Sequence, residues 1–479
     1  MRIAIIGAGL AGLTAAYELR EAAHVDVFEA ADRIGGKLFT VPFNDGPTDM
    51  GAEAFLARRA DATDFFKELE LADAFVAPSP LRPLLYSGSE LRPLPLGGVM
   101  GIPSSPEPVK DIVSADTIER IAAEADAEPI KWEVGEDRSI GKLVRERYGA
   151  EVADRIVSSL LGGVYSCQAD DLGVRATVPY LAAALDELAD SGKPVTLSAA
   201  VALVEKRFTP PAAQASSAPA EGAAQPPRPA VFQAFRDGYA TLYEALAEKS
   251  GANIHLEVFV AGVERTKDGK LNVSGMGVDK DTAPYDHVII ATPAPTTARL
   301  LTKVAPAAAE ELKKVKLASS AVVGMKIDSD AGLPEASGIL VAADQPGVHV
   351  KAFTLSSNKW PHLKERVGNG ALIRASFGRF GEDAITREEE DVLVDYALDD
   401  LKTITGFDAR EAGVSEIYTQ RWFGGIPRFD EHHLATIAAV REQLATVDGI
   451  EVVGAWAAGV GVPAVIADAR STARSLRNA

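Results

Sequence analysis

IAIIGAGLAGLTAAYELREAAHVDVFE, residues 3–29, is the stretch whose reading decides the fold. Ile3 to Ile6 is a short continuous apolar run, the pattern of a strand buried on both faces. Gly7, Gly9 and Gly12 follow at G-x-G-x-x-G spacing, with Ala8, Leu10 and Ala11 between them. The first glycine permits a sharp turn, the second lets backbone approach a pyrophosphate, and the third lets helix pack on strand. Leu10, Leu13, Tyr17 and Leu19 continue as an amphipathic helix whose N-terminal N–H groups face the phosphates. His24 to Phe28 reads as a second strand. Glu29, with Ala30 behind it, closes that strand about 20 residues beyond the glycines, where an acid accepts from ribose hydroxyls. A cleaved signal peptide is the competing reading of an apolar stretch after Arg2, but spaced glycines and an amphipathic continuation argue against it. The charge of Glu29 opposes a 2′-phosphate, which argues against NADP. Asp32-Arg33-Ile34-Gly35-Gly36-Lys37 comes at once after the ribose acid and reads as a second phosphate clamp, with Arg33, Gly36 and Lys37 as its contacts.

The chain has 479 residues, enough for two or three domains with substantial cores. Its 68 acids against 49 bases give a net charge of −19, which excludes nucleic acid and an anionic membrane surface as general partners. A single cysteine, Cys167, excludes an intramolecular disulfide and a Cys-rich metal site. No apolar run approaches the roughly 20 residues of a membrane span, so the expectation is a cytoplasmic enzyme with no transmembrane segment.

Beyond the opening, GPTDMGAEAF (residues 46–55) carries Gly51 and Ala52, small enough for a flat group to lie against backbone. Arg58 and Arg59 then open an amphipathic helix, where cations are disfavoured unless an anion joins them. Residues 81–108 read as strand, turn and loop. Residues 111–203 turn helical, with a break at Gly162-Gly163-Val164-Tyr165-Ser166; Cys167 beyond it reads as a buried, non-catalytic thiol. Thr209 to Ala230 is Pro/Ala/Ser-rich and reads as a mobile linker. Phe235 to Leu246 opens a helix, Ile254 to Val263 is strand-like and includes Val260, and Asp286 to Pro293 is a buried strand ending at Ala291. Leu317–Met325, Gly338–Ala343, Gly347–Leu355, Ala371–Phe377 and Ser415–Trp422 read as strands of another sheet. His432 and His433 cannot both face one metal from a regular element and read as surface or capping residues. Near the end, Gly454-Ala455-Trp456 forms a turn and Gly459-Val460-Gly461-Val462-Pro463 starts a second helix, whose dipole suits the far end of an extended cofactor.

With these motifs assembled the chain resembles the porphyrinogen oxidases, within the amine-oxidase and protoporphyrinogen-oxidase flavoprotein superfamily. The resemblance rests on GAGLAGL, EAADRIGGK, GPTDMGAEAFLARR, LPLGGVMGIPSSP, LLGGVYSCQADDL, VIIATPAP, RWFGGIPRF and GAWAAGVGVPAVI. The GVMGIP loop and Arg58-Arg59 look more like the coproporphyrinogen III oxidases of Gram-positive bacteria than the membrane-bound enzymes acting on protoporphyrinogen IX. Three positions depart from the family: Asp237 where a glycine is usual, Arg428-Phe429 where Gln-Tyr is common, and Cys167 where a small residue stands.

The resemblance implies an α/β fold: a GR2-type, Rossmann-like FAD-binding domain (1–76, 231–293, 441–479), a helical insertion (96–207), a flexible linker (208–230) and an α+β substrate domain on a mixed sheet (77–95, 294–440). It implies noncovalent FAD held by Gly7, Ala8, Gly9, Leu10, Ala11, Gly12, Glu29, Ala30, Arg33, Gly36, Lys37, Gly51, Ala52, Val260, Ala291, Trp422, Gly454, Trp456, Gly461, Val462 and Pro463. Arg59, assisted by Arg58, would meet a substrate propionate. The implied reaction takes three hydride equivalents from coproporphyrinogen III, with O2 reduced to hydrogen peroxide, and a ferrochelatase would receive the product. No general base is assigned. Protoporphyrinogen IX oxidation or amine oxidation is the alternative within the superfamily, and a non-catalytic tetrapyrrole carrier the alternative outside it.

Overall fold

The computed structural model describes residues 1–208 and 231–478. Strand Arg2–Ile6 lies at the centre of a five-stranded parallel sheet, between His24–Phe28 and His287–Ile290. Asn253–His255 and Ile450–Val452 form its edges. The continuous apolar run is explained by the two faces it serves. Ile3 and Ile5 pack with helices Leu10–Leu19 and Val462–Asn478, whereas Ala4 and Ile6 join a core built from helices Ala294–Leu301 and Pro306–Leu312.

A second, mixed sheet has seven strands in the order Val414–Pro427, Leu317–Ile327, Ala371–Phe377, Val350–Thr354, Gly338–Val341, Leu84–Ser87, Glu90–Pro93. All its neighbours are antiparallel except the parallel pair Gly338–Val341 with Leu84–Ser87. Helix Glu390–Thr405 covers one face through Leu393, Ala397 and Leu401. Between residues 111 and 208 the helices Ala115–Ala123, Ile140–Tyr148, Ser158–Tyr165, Pro179–Asp190 and Leu197–Phe208 share a separate apolar core. Among the described residues no helix is long and apolar enough to cross a membrane.

Four local readings change. Helix Ser158–Tyr165 runs through Gly162 and Gly163 and stops at Ser166, at φ 50°, because packing on the sheet outweighs the glycine penalty. The helix expected from Phe235 starts at Ala240; Phe232–Phe235 is instead a strand pairing with Phe55–Leu56 and Phe75–Val76. Ile254–Val263 divides at Glu257, at φ 57°, into two strands of different sheets. His433 is buried rather than on the surface, at 4.1 Å between ring centroids from Phe429 and 2.8 Å from the Trp456 carbonyl. The linker read at 209–230 lies outside the described residues.

Candidate active site

The opening glycines are required by space. Gly7 sits at φ +108°, and a Cβ there would stand 2.8 Å from the Ala291 carbonyl oxygen. A Cβ at Gly12 would overlap the Gly7 carbonyl oxygen. Gly9 differs: a Cβ would meet only the Gly36 Cα, at 3.8 Å, so its outer side is bare backbone. Gly35 N–H donates to the Ala8 carbonyl at 2.9 Å, and Gly9 and Gly35 form a parallel bridge. The two glycine loops, distant readings in sequence terms, therefore lie against one another at the head of helix Leu10–Leu19. Such a cradle of exposed backbone fits a dinucleotide's pyrophosphate.

Glu29 is fixed at the same crossover. Its Oε2 accepts from the Ala8 N–H at 2.8 Å and its Oε1 from the Ala31 N–H at 2.9 Å. Each oxygen keeps a lone pair for a ribose hydroxyl. Glu29→Ala is expected to weaken FAD binding by about 1.5–3 kcal/mol, roughly ten- to a hundredfold, without loss of the fold. Titration of apoprotein with FAD checks this; an unchanged Kd would leave Glu29 as a local staple only. Ala30 is exposed beside it, and Val260 is buried where the Val258 N–H meets the Glu29 carbonyl at 2.9 Å.

Arg33 does not sit as a free phosphate clamp. Its guanidinium donates to the carbonyls of Ile34, Gly36 and Leu38 at 3.0, 2.8 and 3.3 Å and lies 3.9 Å over the Phe39 ring. It staples its own glycine loop into shape. Lys37 is the cation left over: its side chain is accessible, and desolvation by the atoms crowded around it pulls its ammonium down to about 8. Among the described residues no carboxylate pairs with it.

Residues Met50–Glu53 join these glycine loops to the mixed sheet. Trp422 Nε1 donates to the Met50 carbonyl at 3.1 Å, and Arg374 Nη2 to the Gly51 carbonyl at 2.9 Å. A Cβ at Gly51 would overlap the Lys37 carbonyl oxygen, and Ala52 packs onto the sheet-side core of the first domain. Glu53 accepts from Lys359 Nζ at 2.8 Å and Trp360 Nε1 at 2.7 Å. Burial acts to raise the Glu53 pKa, but Lys359 and Arg374 outweigh it and hold the carboxyl below its ordinary value. Glu53, Lys359, Trp360 and Arg374 have no signature in sequence; they become a unit only when strand Ala371–Phe377 is set beside the loop.

Asp49 lies directly behind. Burial pushes its carboxyl up to about 7, against hydrogen bonds from Thr40 Oγ1 at 2.6 Å and the Tyr239 N–H at 3.0 Å. Between its unfolded value and about 7 the folded protein holds a proton that the unfolded chain has released, so this group's contribution to stability falls as pH rises through that window. Asp49→Asn should flatten that part of the Tm-versus-pH curve, between about pH 4 and 7. Parallel curves for wild type and variant would place the ionised form in the fold.

The C-terminal elements approach from the other side. Gly454, at φ +141°, precedes the short helix Ala455–Ala458, and Trp456 is buried with its Nε1 donating to the Thr292 carbonyl at 3.0 Å, one residue beyond Ala291. Gly461 is exposed at the start of helix Val462–Asn478, while Val462 and Pro463 are buried beneath it. Arg58 and Arg59 stand just before helix Ala60–Glu68. Arg58 is exposed, 5.8 Å over the Phe208 ring. The anion that the Arg59 position calls for is internal: Asp61 takes its guanidinium in two bonds of 2.9 and 2.6 Å.

Comparison with known proteins places the chain in a family. Residues 10–477 match the family described as flavin containing amine oxidoreductase. The coproporphyrinogen III oxidase of Mycobacterium tuberculosis is 37% identical over 470 residues, covering 96% of this chain and 94% of that protein. The enzyme of the same name from Mycobacterium leprae is 36% identical over 99% of this chain and 97% of its own. A crystal structure of a protoporphyrinogen oxidase candidate from Exiguobacterium sp. 255-15 superposes with a TM-score of 0.82 at 25% identity, covering 100% of this chain and 98% of that one. The chain belongs to the flavin-containing amine oxidoreductase family, in the group formed by the coproporphyrinogen III oxidases.

Proposed function

We propose that this protein oxidises coproporphyrinogen III to coproporphyrin III with noncovalent FAD, passing electrons to O2. The observation that carries the reading is the similarity to coproporphyrinogen III oxidases along 96% of the chain. The two glycine loops, the Glu29 carboxylate and the unpaired Lys37 fit the dinucleotide half of FAD, and the Gly51–Ala52 backbone and the turn Gly454–Pro463 fit its ring end. When bound, the flavin supplies hydride acceptance and reoxidation by dioxygen. Glu29 would orient the ribose, the bare backbone of Gly9 and Gly36 would take the pyrophosphate, and Lys37 would offset its charge. Trp422 and Arg374 would keep the Met50–Gly51 carbonyls turned away from the ring. We assign no base for the pyrrole protons. The site residues read from sequence, the domain boundaries, a cytoplasmic location and delivery of product to a ferrochelatase belong to the same proposal.

Arg58 and Arg59 would then be rim contacts for a substrate carboxylate. Arg59 is half-exposed and already paired with Asp61, so Arg59→Ala should lower kcat/KM by less than about 1 kcal/mol, under roughly fivefold. A hundredfold loss with normal flavin content would move it into the substrate's first contacts. The function itself is tested by aerobic turnover. Coproporphyrinogen III should yield fluorescent porphyrin and hydrogen peroxide, and acid precipitation should release all yellow chromophore as FAD. Turnover of amines alone, or flavin retained on the pellet, would contradict the reading.

A further inference from the structure

Where strand Val350–Thr354 and the turn after strand Ala371–Phe377 meet the end of helix Ser158–Tyr165, two cations are buried side by side. Lys351 is 5% exposed and donates to two neutral acceptors, Ser166 Oγ at 2.6 Å and the Gly378 carbonyl at 2.7 Å. Arg379 is 8% exposed. Its Nη2 reaches only the Val341 carbonyl, at 3.4 Å, and its buried Nε meets no acceptor. Among the described residues the one acid in range, Glu382, stands 3.8 Å from Nη1 with a side chain 41% exposed. Cys167 offers no counter-charge, since burial pushes its thiol up to about 12. Burial, followed by the Arg379 charge, pulls the Lys351 ammonium down to about 7. Two basic groups withdrawn from water beside one another are costly to hold charged without a matched carboxylate, and among the described residues only the half-exposed Glu382 stands near enough to offset Arg379.

The geometry of the deficit is specific. Nε and Nη2 are the guanidinium edge that grips a carboxylate with two parallel bonds, and that edge of Arg379 is the poorly satisfied one. Gly162 faces that edge without a side chain: a Cβ there would come to 3.7 Å from Nε. Gly163 and Val164, next along the helix, are exposed. Phe380, beside Arg379, and Val460, in the C-terminal glycine turn, both pack on the helical core. The pair sits where the helical block meets the mixed sheet, against Ser166, Val341 and Gly378.

We propose that Arg379, backed by Lys351, forms an anion subsite that takes one carboxylate of the substrate. The inference rests on the reading above that the substrate is a carboxylate-bearing tetrapyrrole. It makes this junction, rather than the Arg58–Arg59 rim, the place where that chemistry is sorted.

The experiment compares wild type with Arg379→Gln, Arg379→Lys and Gly162→Ala as flavin-loaded enzymes. Substrates are coproporphyrinogen III and its tetramethyl ester, and binding of coproporphyrin III and its ester is read by fluorescence quenching. Arg379→Gln should raise KM and the porphyrin Kd for the acid by about tenfold or more, the loss of hydrogen bonds to a charged group. kcat should change less than about twofold, and both constants for the ester should stay put. Arg379→Lys should recover part of the acid's affinity. Gly162→Ala, which keeps both cations but covers Nε, should weaken the acid alone. Equal losses with acid and ester, or no loss in either Arg379→Gln or Gly162→Ala, would overturn the subsite. A wild type that binds coproporphyrin III without oxidising its reduced form would overturn the oxidase reading alone, and the binding arm would still decide the subsite.

Discussion

Gly12→Ala should yield a folded chain that no longer retains flavin through dialysis. The added carbon would overlap the Gly7 carbonyl oxygen and press on Ile5 Cγ2 at 3.2 Å. Neither is the far end of a flexible side chain, so backbone must move. An overpacked contact of this kind costs about 1–3 kcal/mol even where side chains can adjust, and here the segment that moves is the one whose N–H groups would face the pyrophosphate. FAD affinity should fall by about a hundredfold or more. Gly9→Ala is the informative partner, because its Cβ meets only the Gly36 Cα, at 3.8 Å. It should leave thermal stability of the apoprotein near wild type while still weakening FAD. Flavin-to-protein ratios after dialysis, beside apoprotein melting curves, check both; wild-type flavin content in Gly12→Ala would mean the loop is not the nucleotide site.

Glu18→Ala should be the most damaging single change to stability. Glu18 is buried on helix Leu10–Leu19 and accepts from Arg470 Nε, Arg474 Nε and Arg474 Nη2 of helix Val462–Asn478, the latter two at 3.1 and 3.2 Å. Burial acts first to raise the Glu18 pKa, but the two arginines outweigh it and leave the carboxyl below its ordinary value. Removing one member of a buried pair leaves the other charge stranded, typically 3–5 kcal/mol. Arg470 keeps Glu68 at 2.7 Å and the Phe65 ring at 4.1 Å, so the lower end, about 3 kcal/mol, is expected here. Because this pair ties the helix behind the first glycine loop to the helix behind the last, FAD should stabilise the variant by no more than it does wild type, and by less if the loops loosen. Denaturant melts with and without FAD measure it, and a loss under about 1 kcal/mol would show that Arg470 repairs itself through Glu68.

The strand, glycine turn, helix and acid of residues 3–29 were legible in the sequence because their signals are local. Strand, three glycines, helix and acid all fall within residues 3–29, and the same short-range geometry that makes Gly7 and Gly12 necessary also sets their spacing. The Gly35–Gly36 loop was legible as a companion, but the role of Arg33 was not. Nothing in sequence distinguishes an arginine that grips phosphate from one that turns back on the carbonyls of residues 34, 36 and 38. The internal partner of Arg59 was hidden for a related reason: Asp61, two residues on, is placed to answer it only once helix Ala60–Glu68 is formed. The longer-range groups had no local signature. Arg374, Lys359 and Trp360 reach Met50–Glu53 from more than 300 positions away, and Lys351 and Arg379 become neighbours only through the register of two antiparallel strands. Gly162-Gly163 was read as a break because glycine weakens helices, whereas here Gly162 keeps a helix surface bare beside a buried cation.

The central claim is that a tetrapyrrole bearing carboxylates delivers its hydrides to a flavin held by these loops. It is tested most directly by mixing the flavin-loaded protein anaerobically with coproporphyrinogen III and, side by side, with protoporphyrinogen IX, while following flavin absorbance. The account predicts that coproporphyrinogen III bleaches the flavin, does so at a lower concentration than protoporphyrinogen IX, and that the difference shrinks in Arg379→Gln. A flavin that stays oxidised with both porphyrinogens yet is bleached by a primary amine would contradict it.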